Sequence, residues 1–286
     1  MRRIVVGVDG SAHAERALRW GVQEALLTGA AIELVHCYVV HPHAGVLVHD
    51  DREAASATLD AIVERNRAVL EHSTWTATLA PTLWSPADAL MDPAEHADLV
   101  VVGSRGLGGF RELLLGSTSY RTAAHAPAPV AVIRGGPETE DLDGHREVIV
   151  GVDDSRAGAR ALRWAYTEAE RRDVALTVVH AYSYPIEWSL ASMVTDETLE
   201  RYRSGVRNDA VAMVERAIAD LGDPPGRAIE RVIVPGVPAD ALLSRAGPDR
   251  LLVVGSHGRG ALGRALLGSV SHQCLHHATG PMVVVP

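Results

Sequence analysis

The chain contains itself twice. The stretch RRIVVGVDGSAHAERALRWGVQEA, starting at Arg2, returns as REVIVGVDDSRAGARALRWAYTEA, starting at Arg146. Gly7, Asp9, Trp20 and His36 correspond to Gly151, Asp153, Trp164 and His180 at a spacing of 144 residues. Further on, Pro86, Gly103 and Gly116 correspond to Pro238, Gly255 and Gly268 at a spacing of 152. The second copy therefore holds eight more residues (152 less 144) before its VPAD element. A repeat of roughly 140 residues is the size of a domain, far longer than the unit of a solenoid. Two domains are expected, over residues 1–134 and 146–286, joined by the polar, acidic linker 135–145 (GGPETEDLDGH).

Each copy alternates short apolar runs with helical spacing. In the first, Ile4–Val8 reads as a strand and Ser11 suits a helix cap. Ala14, Ala17, Leu18, Gly21 and Ala25 follow at helical intervals, and Gly29 suits a left-handed stop. Beyond it the pattern predicts one helix over Asp51–Glu71, another over Pro86–His96, a fourth strand from Leu99 and a fifth over Val130–Ile133. The strands are apolar throughout and rich in valine, the mark of a parallel sheet covered on both faces. The fold class is α/β, as two tandem, doubly wound, Rossmann-like parallel sheets of five strands each. With one Phe in 286 residues, the cores have to be built from Val, Ala, Leu and Ile.

A second pattern stands after each fourth strand. LVVVGSRGLGGFRELLLGS begins at Leu99, and LLVVGSHGRGALGRALLGS at Leu251. Both keep glycine, two residues, glycine, nine residues, then Gly-Ser: Gly103, Gly106, Gly116, Ser117 and Gly255, Gly258, Gly268, Ser269. A buried strand that ends on glycines offers backbone N–H groups without a Cβ in the way. Gly-Ser at the start of a helix adds the free N–H groups and positive end of the helix dipole. Such a place favours phosphate.

VGVDGS and VGVDDS at the first strand, followed by this glycine spacing, resemble the nucleotide-binding branch of the universal stress protein family. The resemblance covers both halves and leaves out the linker. It implies the strand order 3-2-1-4-5 and an ATP site in each half, where the order reverses between the first and fourth strands. It also implies the site residues. Asp9 and Asp153 would lie near the ribose or adenine side, Gly7, Val8, Gly151 and Val152 would also belong to the nucleotide site, and Cys37 and Ala181 would meet adenine through their backbone. Val102 and Val254 would line the pocket, and Thr118 and Val270 would follow the phosphate-contacting serines. Mg²⁺ would be held by the phosphates, with no metal site of the protein's own. The family's stress and dormancy roles come with the resemblance alone.

The aspartates could also serve only as helix caps, and the glycines only as turns. Arg105 and His257 share one loop position and could neighbour phosphate, whereas His36 and His180 suit a structural role. Asp154, in place of Gly10, adds negative charge expected at the mouth of the second pocket.

The formal net charge of −9 argues against duplex DNA as a partner. Two cysteines, Cys37 and Cys274, suit a reducing cytoplasm. No apolar run approaches the roughly 18 residues of a membrane span, and MRRIVVGVDGS reads as a strand and turn, not a leader. The loop lacks the Lys of a phosphate-binding Walker motif, and no acid–base pair stands out, so no catalytic residue is assigned. A regulatory ATP-binding protein is expected; a slow ATP hydrolase and a nucleotide-free scaffold are the alternatives. The apolar fifth strands should pair the halves antiparallel as an intrachain pseudo-dimer. A homodimer of whole chains and an unidentified regulatory partner stay open.

Overall fold

The computed structural model describes residues 2–40, 42–43, 46–47, 50–106, 115–134, 145–184, 195–222, 228–258 and 267–286. Most of the linker expected at 135–145 lies outside the described residues; its last residue, His145, lies within them. The first half contains strands β1 (Arg3–Gly7), β2 (Ala31–Val39), the short hairpin pair β3 (Pro42–His43) and β4 (Val46–Leu47), then β5 (Trp75–Thr82), β6 (Leu99–Gly103) and β7 (Val130–Ile133). The second contains β8 (Glu147–Gly151), β9 (Ala175–Tyr182), β10 (Ile229–Pro235), β11 (Arg250–Gly255) and β12 (Met282–Val285).

Ten of these strands form one sheet in the order β10-β9-β8-β11-β12-β7-β6-β1-β2-β5. Counted within each half, that order is 3-2-1-4-5. Within this sheet all pairings inside a half are parallel, and the one between halves, β7 with β12, is antiparallel. Across that junction Val130, Ala131 and Val132 face Val284, Val283 and Met282. Ala131 and Val283 correspond at the spacing of 152, so a pseudo-two-fold axis passes through this pair. The two five-stranded halves thus share one edge, which removes two exposed strand borders.

Strand side chains alternate between the two faces. Ile4, Val6 and Val101 pack under helices 12–28 and 50–65, while Val5, Val100 and Val102 pack under helices 86–89 and 117–125. The second half repeats this with helices 156–172 and 196–219 on one face, 238–243 and 269–277 on the other. Each fully buried Val, Leu or Ile contributes about 1.5–3 kcal/mol. Trp20 is the largest fully buried side chain.

The helix after β1 follows from its sequence. Ser11 accepts a hydrogen bond from Ala14 N at its start, and Gly29, at φ 67°, turns the chain out of it. Ser155 and Asp173 do the same for Arg156–Arg172. The single helix expected over Asp51–Glu71 is broken at Asn66, which is buried and spends its side-chain amide on the Ile62 carbonyl. The one expected over Pro86–His96 becomes two short turns, Pro86–Ala89 and Met91–Ala94, with Pro93 inside the second. Among the described residues, no helix is long and apolar enough to cross a membrane.

Candidate functional site

The strand order reverses between β1 and β6 in the first half and between β8 and β11 in the second. A crevice opens at the carboxyl ends of the strands at each reversal, as open α/β sheets require. The first is a cavity of about 650 Å³, bordered by Gly7, Val8, Asp9, Cys37, Val102, Gly103, Gly106, Gly116, Ser117 and Thr118. The second, of about 140 Å³, is bordered by Gly151, Val152, Asp153, Ala181, Val254, Gly255, Gly258, Gly268, Ser269 and Val270. These are the twenty residues singled out from the sequence, gathered ten to a cavity.

The glycines divide by what their missing Cβ spares. At Gly103 a Cβ would stand 2.6 Å from the His13 carbonyl, so this glycine lets the helix after β1 lie close on β6. Gly255 does the same against Ala157. Gly106 makes room for a side chain: a Cβ there would stand 2.5 Å from Asp9 Oδ2, and at Gly258 2.9 Å from Asp153 Oδ2. The other carboxylate oxygen accepts from the backbone N–H of Ser11, at 2.9 Å, or of Ser155, at 3.1 Å. The serines, not the aspartates, are the helix caps. Each aspartate is held between the cap and the glycine loop.

The far end of the loop is fastened by the motif's second part. Gly116 N donates to the Ser104 carbonyl at 2.8 Å, and Gly268 N to that of Ser256 at 2.8 Å. Ser119 Oγ donates to the Gly103 carbonyl at 2.6 Å, and Ser271 Oγ to the Ser256 carbonyl at 2.9 Å. Helices Ser117–His125 and Ser269–His277 then begin at the cavity wall with no side chain capping their N-cap glycines. Their first N–H groups and dipole ends face the crevice.

The universal stress protein family matches residues 1–134 and 144–286. The chain is 32% identical to a universal stress protein of Mycobacterium tuberculosis, over 98% of this chain and 96% of that one. It is 33% identical to one of Mycolicibacterium smegmatis, over 99% and 96%. The crystal structure of a universal stress protein from Archaeoglobus fulgidus superposes with a TM-score of 0.72 at 18% identity, covering 99% of this chain and 97% of that one. The chain belongs to the universal stress protein family.

This universal stress protein holds further groups at its crevices that spacing alone did not single out. Ser119 and Ser271 are buried anchors, visible in sequence only as the shared G-S-x-S. Leu90 and Leu242 floor the pockets against Gly7 and Gly151. His36 Nδ1 donates to the Val8 carbonyl at 2.7 Å and His180 Nδ1 to that of Val152 at 2.9 Å, so both rings tie strands together beside the site. Burial pushes the Cys37 thiol up to about 12, which leaves it protonated and unreactive. Arg105 and His257 do border the cavities, each with a buried nitrogen (Nε and Nε2) that has no hydrogen-bond partner among the described residues.

One expectation is corrected. Asp154 does not border the second cavity; it lines a neighbouring crevice with Arg156 and Arg216. Gly10 turns at φ 82°, and Asp154, its counterpart, does not share that left-handed turn.

Proposed function

We propose that the chain is a regulatory binder of adenine nucleotide, ATP foremost, with one nucleotide in each half. The observation that carries this is the pair of uncapped helix starts. The long helices from Ala12, Arg156 and Asp196 are closed by Ser11, Ser155 and Thr195, whereas those from Ser117 and Ser269 open on the crevices. An anion suits such an end, and the glycine loop beside it brings backbone donors to the same place. Phosphate would lie on Gly116–Thr118 and Gly268–Val270, ribose near Asp9 and Asp153, adenine against the backbone at Cys37 and Ala181. One carboxylate borders each cavity among the described residues, so we assign Mg²⁺ to phosphate oxygens instead of a protein ligand set.

We read the paired halves as a pseudo-dimer: one rigid unit with two sites, acting in the cytoplasm in stress or dormancy through a protein partner yet to be identified. Domain limits of 1–134 and 146–286 fit this arrangement. Native mass spectrometry of the purified chain, followed by denaturation and chromatography of what is released, tests the proposal. Two adenine nucleotides per chain are expected. A chain that takes up no nucleotide with ATP and Mg²⁺ in excess would leave the scaffold alternative standing. Phosphate release over hours separates binding from slow hydrolysis.

A further inference from the structure

Among the described residues, which leave out Arg111 and Glu112 of the first loop and Arg259 and Arg264 of the second, the two crevices share a backbone and differ in charge. Arg105 borders the first, with the Arg134 guanidinium and the imidazole of His13 behind it. His13 Nδ1 is 3.5 Å from Ser104 Oγ, and the Arg105 guanidinium acts on His13 and on Arg134 alike. Burial lowers His13 first and Arg105 adds to it; burial also brings Arg134 down to about 10, with Arg105 again second. At the spacings of 144 and 152, the second half has Ala157 for His13, His257 for Arg105 and Pro286 for Arg134. The hydroxyl of Thr118 at the first helix start becomes the methyl groups of Val270 at the second. A single aspartate, Asp9 or Asp153, opposes these groups in each.

We propose that the pockets are specialised by phosphate charge: the first for a nucleoside di- or triphosphate, the second for a nucleotide with fewer phosphates. This rests on the nucleotide-binding reading above. A guanidinium presents a planar fork of donors to phosphate, while an imidazole offers one or two. The buried, unpartnered Nε of Arg105 is a donor whose desolvation is already incurred, so an acceptor brought to it gains the full bond. The Nε2 of His257 is equally without a partner, but its ring is tied through Nδ1 to Ser256 Oγ at 2.8 Å. In the second crevice Leu242 lies hard against Gly151.

Photolabelling of the full chain with 8-azido-ATP and 8-azido-AMP, followed by peptide mass mapping, reads each half separately. With 8-azido-ATP the first half is expected to half-saturate at a concentration about tenfold lower than the second, the weight of one charge-assisted contact. With 8-azido-AMP the gap should close to about threefold or less. Arg105→His should raise the first half's requirement for the triphosphate about tenfold and leave that for the monophosphate unchanged; His257→Arg should lower the second half's for the triphosphate. Equal labelling of both halves by 8-azido-ATP would overturn the specialisation while leaving the nucleotide reading intact. So would substitutions that move both probes equally. Labelling of neither half would end both. The wild-type comparison stands even if a variant fails to fold.

Discussion

Where the halves meet, one face of the sheet buries charge and the other leaves imidazoles beside water. On the first face, Glu24 and Glu168, counterparts at the spacing of 144, end side by side at 2% and 0% exposure. Arg172 pairs with both, and Arg171 lies 3.5 Å from Glu168 and 4.0 Å from Glu24. Arg172 also sits over Trp20, 5.5 Å from the ring, and Trp20 Nε1 donates to His145 Nε2 at 2.8 Å. Burial, then Arg172, presses His145 down to about 3, so it stays a neutral acceptor. On the second face Tyr120 meets its counterpart His272 edge to face at 5.6 Å, with His276 4.6 Å from His272.

A pseudo-two-fold axis sets residues beside it near their own copies. For Tyr120 and His272 that is harmless, since half-exposed rings stack and water takes up the rest. For two buried glutamates it is costly, because like charges in a low dielectric repel and neither keeps its hydration. The remedy is asymmetric: the second copy has Arg171 and Arg172 where the first has Leu27 and Thr28. Two identical chains could not place arginines on one side only; a duplicated chain can.

The largest expected effect comes from removing that asymmetry. Arg172→Met leaves two carboxyl groups buried without their main partner and should cost about 3–5 kcal/mol at pH 8. Urea midpoints read this, and a loss under about 1 kcal/mol would show that the carboxylates are satisfied otherwise.

Next is the pH dependence. Burial, and then Glu168 beside it, raises Glu24 to about 7 against the pull of Arg172. The folded state thus holds this proton more tightly than the unfolded chain, whose ordinary value is 4.5. Its contribution is fully present below pH 4.5 and is lost as the pH rises through 7. Glu24→Gln should flatten that slope and be the more stable form at pH 8, by on the order of 2 kcal/mol. Matching pH profiles for variant and wild type would refute it.

The smallest effect belongs to the imidazole face and runs the other way. Burial, with His272 second, lowers His276 below 6.5, so stability there is lost as the pH falls past 6.5. His276→Gln should relieve that acid-side loss by only a few tenths of a kcal/mol, because the group is solvated. A gain above about 1 kcal/mol at pH 5.5 would mean that the two faces are not as different as their burial says.

The sequence by itself determined the duplication, the strands and the glycine loops. These are local patterns: VGVD into a Ser-capped helix, and a Val-rich run into G-x-x-G, hold wherever the surrounding chain goes. The glycines, serines and aspartates around the crevices were legible for the same reason; Cys37, Val102, Thr118 and their counterparts Ala181, Val254 and Val270 came only with the family resemblance. What Gly106 makes room for was not legible. Spacing suggests a phosphate beside it, and the fold puts Asp9 Oδ2 there, 97 residues away in the chain. Nor do Glu24 and Glu168, or Trp20 and His145, announce each other. They meet only because β7 and β12 pair antiparallel with Ala131 opposite Val283, which rotates one half onto the other about that pair. A shift of that register would leave every local element intact and bring different side chains to the seam. The charge difference between the crevices has the same origin. Arg105, Arg134 and His13 are scattered in the chain, and the crossing of helix 12–28 over the ends of β6 and β7 brings the two guanidiniums and the imidazole together.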